Sequence, residues 1–99
     1  MITFEVAQKI AQVEAARRRA IPRLAHYEFG PVVLESEGPG YWKFVCASEQ
    51  MQDEGYIPGA IFLRVDKRDG HLWSELEIER YYEALAAPLQ SEPQALAVA

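Results

Sequence analysis

The chain has 99 residues, of which 49% are hydrophobic and 11% are aromatic, so it can bury one hydrophobic core and is not an intrinsically disordered chain. Ten basic residues against 15 acidic residues leave a formal net charge of −5. Such a charge disfavours nucleic acid as a partner and favours a partner with a basic surface.

The cysteine content and the first residues predict the compartment. Cys46 is the single cysteine of the chain, so it cannot form an internal disulfide. The opening MITFEVAQKI lacks the basic region and long apolar run of a signal peptide, and no stretch approaches the roughly 20 apolar residues that cross a bilayer. We therefore expect a cytoplasmic protein that does not enter a membrane.

The first predicted element is a helix over residues 4–20. Thr3 is a suitable N-cap, and Pro22 stops the helix. The arginines at 17–19 suit the negative end of the helix dipole, and we interpret them as a solvated helix end rather than an anion site. The predicted apolar stripe has spacings of four and three, is flanked by alanines and consists of Val6, Ile10 and Val13.

From residue 24 to residue 73 the hydrophobic period changes to two, which predicts β-strands. The expected strands cover 24–36 with a bend at Gly30-Pro31, 41–47, 60–65 and a short partner at 71–73. The polar connection over 48–59 would be a loop or a short helical turn. One set of alternating side chains would face the helices: Val32, Leu34, Trp42, Phe44, Cys46, Ile61, Leu63, Val65 and Leu72. The other set would face away: Val33, Glu35, Tyr41, Lys43, Val45, Phe62, Arg64, His71 and Trp73.

The stretch VDKRDGHLW, residues 65–73, has the charged residues of an active site and the chemistry of a turn. Asp66 and Asp69 are short carboxylates that bond nearby backbone amides, and Gly70 can adopt a positive φ. His71 has no second histidine or cysteine at ligand spacing, so a structural role is favoured over metal binding or base catalysis. The pattern predicts a hairpin turn.

A second helix is predicted directly after the last strand, because Ser74 and Glu77 have the spacing of a capping box. Its inner face would consist of Ile78, Tyr81, Tyr82, Leu85 and Leu89. The helix would end at Pro88, and residues 89–99 would form a flexible tail. The element order predicts an α+β domain over residues 1–88, with both helices packed on one face of an antiparallel meander of three to four strands.

Catalytic function finds little support in the residue pattern. The candidate nucleophiles and bases are Cys46, Ser48, His26 and His71, and the candidate carboxylate pair is Glu35 and Glu37. No nucleophile elbow, phosphate-binding glycine loop or pair of spaced metal ligands accompanies them. Because Cys46 falls on the predicted core face, its thiol is expected to be inert. We therefore expect a protein without enzymatic activity, metal or cofactor.

Two surfaces are candidates for binding another protein. The outward sheet face would combine Tyr41, Phe62 and Trp73 with Glu35, Lys43 and Arg64, and aromatic residues and arginine are enriched at the centres of interfaces. The alternative is that a third layer, the tail or a second copy of the chain covers this face. Cover by a second copy would make the protein a homodimer. The second candidate is an acidic rim of Glu35, Glu37, Glu49, Asp53 and Glu54 that would attract a basic partner. The alternative there is an ordinary solvated rim.

Three segments carry a family resemblance: MITFEVAQKIAQ, GYWKFVCASE and AIFLRVDKRDGHLW. They resemble the YrhB-type small proteins grouped as immunity protein thirty-five, over roughly residues 1–73. The matching positions are Trp42 and Phe44 in the aromatic strand and Val65, Asp66, Lys67 and Gly70 in the hairpin. The resemblance implies a bacterial immunity protein that binds and neutralises a cognate secreted or interbacterial toxin, or else a chaperone-like protein. It implies no catalytic residues.

Overall fold

The computed structural model describes the backbone of residues 1–98 and the side chains of residues 1–86. The elements in chain order are α1 (Phe4–Arg19), β1 (Val33–Glu37), β2 (Tyr41–Ala47), α2 (Glu49–Asp53), β3 (Ala60–Asp66) and α3 (Glu75–Val98). The strands form one antiparallel sheet in the order β1-β2-β3. The predicted α+β class, the two terminal helices and the antiparallel meander are thus confirmed.

Helix α1 packs on the sheet through alanines and through Ile10, which is one of the three residues of the predicted stripe. Ala7, Ala11 and Ala15, spaced four residues apart, are fully buried in the core cluster. Val6 and Val13 are 46% and 71% exposed, so their predicted burial is wrong. The reason is size: a methyl side chain lets the helix backbone approach the strands closely, and that approach leaves the larger side chains on the flanks.

The core lies between α1 and the sheet. Phe44 pairs with Leu63 across β2 and β3, and both side chains are buried against the helix. The ring of Phe4 lies 5.9 Å from the ring of Phe44 and 5.9 Å from that of Trp42. Each large apolar side chain buried in this way stabilises the fold by about 1.5–3 kcal/mol. The predicted inward set of β2 and β3 is confirmed.

Strand β1 is an open edge of the sheet, and all five of its residues are exposed. Its pairing with β2 shifts between Leu34 and Ser36, which is a bulge. The expected extended segment was too long at its start. Residues 22–26 form turns instead, in which the amide of Leu24 donates to the carbonyl of Ile21. Leu34, expected to be in the core, is 41% exposed because α1 packs mainly on β2 and β3 rather than on the edge strand.

Helix α3 starts at the predicted capping box. The amide of Glu77 donates to Ser74 Oγ at 3.2 Å, and the amide of Ser74 donates to Glu77 Oε1 at 3.0 Å. The helix continues to Val98, so the predicted end at Pro88 is wrong. Alanine and leucine, both good helix formers, lie on both sides of that proline. The tail predicted over 89–99 concerns residues whose side chains lie outside the described part, and its flexibility stays a prediction.

The first turns of α3 pack on the face of the sheet opposite to α1. The ring of Tyr81 lies 5.5 Å from those of Tyr41 and Trp73, and Tyr41 alternates along β2 with the residues that face α1. The expectation that both helices share one face is therefore wrong. The physical reason is that α1 already covers the apolar face, while tyrosines match the aromatic character of the other. Among the described residues, no helix has the length and apolarity needed to cross a membrane.

Candidate functional site

The side of the sheet away from α1 carries a group of aromatic side chains and one arginine, which we call the aromatic face. It consists of Tyr41, Phe62, Arg64, Trp73, Tyr81 and Tyr82. The rings of Tyr41 and Trp73 lie 4.9 Å apart. The guanidinium of Arg64 lies 5.4 Å from the ring of Tyr41 and 5.9 Å from that of Tyr82, and it donates to Tyr82 Oη at 3.0 Å. Arg64 is thus held between two rings by cation–π contacts and one hydrogen bond.

Exposure divides the aromatic face into a base and a surface. Tyr41 is only 9% exposed because Tyr81 and Trp73 pack on it, so this predicted partner contact belongs to the base. Tyr82 is 51% exposed, while Phe62 and Arg64 are partly exposed. The expectation that a third layer covers this face is therefore met in part, by α3 itself.

Tyr81 and Tyr82 are the functional candidates that the sequence reasoning placed wrongly, in the core. A signal was present in the chain. Successive residues of a helix are turned by about 100°, so two adjacent tyrosines do not both lie on a narrow buried stripe. At least one of them had to contact something other than the apolar core.

A cleft of about 500 Å³ borders the aromatic face between the end of α1 and the start of α3. Its lining includes Phe62 and Arg64 from β3, Arg17 and Arg18 from α1, and Trp73 and Ile78 on the α3 side. Both α1 arginines bond Glu14. The hydrogen bond from Arg17, with that from Arg18, lowers the pKa of Glu14 to about 2 despite its partial burial. Glu14 therefore compensates one of the two positive charges, and the exposed arginines are in keeping with the predicted solvated helix end.

The hairpin VDKRDGHLW is a turn that positions part of the aromatic face. Gly70 has a φ of +79°, as predicted. The buried carboxylate of Asp66 accepts hydrogen bonds from the backbone and side chain of Arg68 and from Trp73 Nε1 at 3.1 Å. Burial acts to raise the pKa of Asp66, but these hydrogen bonds outweigh it and lower the pKa to about 2. An ionised Asp66 therefore orients the indole of Trp73.

We expect Gly70→Ala to destabilise the fold by about 1–3 kcal/mol, because an added Cβ meets both a positive φ and a crowded site. The Cβ would lie 2.8 Å from Ile10 Cδ1 and 3.2 Å from Ile2 Cδ1. Gly55→Ala is the matched control, since Gly55 has a φ of +94° and no atom within 4 Å of an added Cβ. Urea unfolding should show the larger loss for Gly70→Ala. Equal losses of stability in the two variants would mean that the crowding of the added Cβ by Ile2 and Ile10 does not destabilise the fold.

The acidic residues do not form one rim. Glu35 pairs with Lys43 at 3.2 Å, and Glu37 pairs with Lys67. Glu37 lies opposite Trp42, near the start of β2, whereas Asp53 and Glu54 lie at the end of α2, which follows the other end of β2. The sequence places these carboxylates near strand ends, but the antiparallel pairing carries them to different ends of the sheet.

The candidate nucleophiles are engaged in structural contacts. Cys46 is buried, its thiol donates to the carbonyl of Gly30 at 3.3 Å, and burial raises its pKa, which disfavours the reactive thiolate. Ser48 is buried, and its Oγ accepts the amide of Met51 as the N-cap of α2. Both side chains therefore serve the fold.

Within the described part of the chain, one group of side chains has ligand atoms close enough to hold a metal ion: Asp66, Asp69 and His71, within 4.8 Å of one another. Arg68 and Trp73 already occupy the oxygens of Asp66, which leaves that carboxylate poorly suited to a cation. The aromatic face is the stronger candidate on its own chemistry.

Comparison of the chain with protein-family models, with curated proteins and with solved structures gave no match in any of the three.

Proposed function

We propose that this protein is a cytoplasmic immunity protein that binds and neutralises a cognate toxin through the aromatic face. The observation that carries the proposal is the side-chain chemistry of the exposed part of the aromatic face. Tyrosine, tryptophan and arginine are enriched among the residues that contribute most of the binding energy at protein interfaces, and phenylalanine is enriched at interfaces in general. Here Phe62, Arg64, Trp73 and Tyr82 meet on one surface. The resemblance to immunity protein thirty-five supplies the class of partner.

The exposed part of this face is already ordered in the free protein. Arg64 is held by Tyr82 and by the ring of Tyr41, and the indole of Trp73 is held by Asp66. Binding normally costs about 0.5–1.5 kcal/mol for each flexible side chain that becomes immobile. Because these side chains are held before the partner arrives, much of that cost is avoided, and the affinity can be high for a modest contact area.

The charge of the chain favours a partner with a basic surface. The net charge of −5 attracts such a partner over distances of about a Debye length, roughly 8 Å at physiological salt. Toxins that act on nucleic acid need a basic surface of their own to bind phosphate. The acidic residues around the sheet, including Glu35, Glu37, Asp53 and Glu54, would therefore mainly increase the association rate.

Binding kinetics with the product of the neighbouring gene, after co-purification, test the proposal. We expect a stoichiometric complex with nanomolar or tighter affinity. Phe62→Ala and Tyr82→Ala should each weaken it by about 2 kcal/mol or more, roughly 30-fold, through faster dissociation. Reversing the charges of Glu35, Glu37, Asp53 and Glu54 together should slow association and flatten its salt dependence.

The control for this experiment is Val13→Ala. Val13 is as apolar as the probed residues and 71% exposed, but it lies on α1, on the other side of the sheet. It should leave both rates unchanged. If Val13→Ala speeds dissociation while Phe62→Ala and Tyr82→Ala do not, the partner binds α1 and the proposed site is wrong.

A chaperone-like function is the second candidate, and it is favoured by apolar side chains exposed outside the aromatic face. Met1 and Ile57 are each 95% exposed, and Tyr56 beside Ile57 is 53% exposed. Scattered apolar contacts suit weak binding to many unfolded clients rather than tight binding to one partner. Suppression of the aggregation of unrelated proteins, reduced by Ile57→Ser but unaffected by Tyr82→Ala, would support this function over toxin binding.

A further inference from the structure

The imidazole of His71 bridges two carboxylates that belong to different parts of the fold. Its Nδ1 lies 2.6 Å from Asp69 Oδ1 in the hairpin turn, and its Nε2 lies 2.7 Å from Glu77 Oε2 in α3. A neutral imidazole has one N–H donor and one lone pair. Two ionised carboxylates accept hydrogen bonds and donate none, so both contacts are favourable only when the ring is protonated.

Glu77 connects this bridge to the start of α3. One of its oxygens accepts the amide of Ser74 in the capping box, and the other meets the His71 ring. The following turn of the helix places Tyr81 on Tyr41 and Trp73. The Glu77–His71 contact, which holds α3 to the turn, therefore lies one helical turn from Tyr81, which covers the base of the aromatic face.

We propose that the first turns of α3 form a pH-dependent lid on the aromatic face, closed while a protonated His71 bridges Asp69 and Glu77 and released when the ring loses its proton. Release would uncover Tyr41 and the buried side of Trp73, so the lid would regulate the surface that we assign to partner binding. Its regulatory meaning rests on that proposed function, but the motion of the lid is a property of the free protein.

The charged groups around His71 all favour the protonated ring or act on its partners. Glu77 from α3 and Asp69 from the turn raise the pKa of His71, against a smaller effect of burial. Arg68 lies close enough to act on both carboxylates, and Asp66 at the end of β3 acts on Asp69. From the side of α1, the turn meets the apolar chains of Ile2 and Ile10 at Gly70.

The direction of the pH effect follows from these shifts. The folded pKa of His71 lies above its ordinary value of 6.5, so the bridge is fully present below 6.5 and is lost as pH rises through the raised pKa. The pKa values of Asp69 and Glu77 are lowered, chiefly by backbone hydrogen bonds from His71 and Ser74. The carboxylates therefore stay ionised across the range in which His71 titrates, and the lid is expected to open on the alkaline side.

Hydrogen exchange of the free protein between about pH 5.5 and 8.5 tests the lid. Exchange rates corrected for intrinsic pH dependence give protection factors for the amides of residues 78–82. These should fall as His71 titrates, about tenfold for each pKa unit by which closure raises the histidine pKa. The amides of β2, at the centre of the sheet, should stay unchanged. The titration of His71 is followed by NMR in a His26→Asn background, because the chain has two histidines.

Glu77→Gln is the matched variant, since glutamine also serves in a capping box. Its carbonyl can accept the Ser74 amide while its NH₂ donates to a neutral His71 Nε2. The lid of this variant should therefore stay closed at high pH. Wild-type protection that does not change while His71 titrates would overturn the proposal, and so would the same pH dependence in Glu77→Gln. Both measurements use the free protein and need no toxin. If the lid opens as expected but no binding partner is found, only the proposed binding function is overturned.

Discussion

Phe44→Ala is expected to lower the free energy of unfolding by about 3–5 kcal/mol, the usual cost of emptying a buried aromatic site. Phe44 is fully buried at the centre of β2, where Phe4 stacks on it and Leu63 pairs with it from β3. Its removal leaves a cavity between α1 and the sheet that the paired strands do not easily close. Urea unfolding with an unchanged m value measures the loss.

Phe62→Ala is the natural comparison, because it removes the same side chain from the neighbouring strand on the opposite face. Phe62 is partly exposed and pairs with Val45. Its removal should cost about 1 kcal/mol of stability while strongly weakening partner binding. If the two variants lose equal stability, the aromatic face is a second core rather than a surface. If Phe44→Ala costs less than Phe62→Ala, the assignment of the faces is wrong.

Ala11→Leu is expected to destabilise the fold by about 1–3 kcal/mol even though leucine is an excellent helix former. Ala11 is fully buried in the middle of the surface by which α1 approaches β2 and β3. The larger side chain has no free volume there, so the helix must move away from the sheet or the leucine must adopt a strained rotamer.

Ala16→Leu makes the same change on the same helix at an exposed position. Because that position is exposed, the effect of the change on stability should lie within about 0.5 kcal/mol of zero. Thermal unfolding of the two variants separates the effect of packing on stability from the effect of helix propensity. If the Ala11→Leu protein is as stable as the Ala16→Leu protein, the predicted stripe of Val6, Ile10 and Val13 is the buried face of α1 after all.

Features that depend on a few neighbouring residues were predictable from the sequence. The bounds of β2, the hairpin turn with Gly70 at positive φ, and the capping box of α3 all follow from local rules of alternation and backbone conformation. In each case the residues that determine the feature lie within a few positions of one another, so no knowledge of the tertiary fold is needed.

Features that depend on how elements approach each other were not predictable. Hydrophobicity ranks valine above alanine, yet closeness of approach decided that Ala7 and Ala15 are buried and Val13 is not. In the same way, the capping box locates the start of α3 but does not determine on which side of the sheet the helix lies. That side is determined by contacts of Tyr81 with residues far away in the sequence.

The candidate site was predictable in its strand residues and not in its boundary. Alternation placed Tyr41, Phe62, Arg64 and Trp73 on one face, and the structure has them there. The arrival of α3 then buried Tyr41 and added Tyr82. The acidic rim was overestimated because β2 runs between the two groups of carboxylates, so that Glu37 and Asp53 lie toward different ends of the sheet.

The open edge of β1 also determines how copies of this protein behave when they are crowded together. An unpaired strand edge is a template on which another chain can add a strand, the first step toward ribbons and precipitates. In β1 the bulge after Leu34 interrupts that template, and the ion pairs of Glu35 with Lys43 and of Glu37 with Lys67 place charged side chains along it. On the opposite edge of the sheet, β3 is partly closed by its bridge to Leu72. We therefore expect the two glutamates, with their lysine partners, to oppose the addition of a further strand, since replacing them with neutral residues would remove the charge that β1 itself carries.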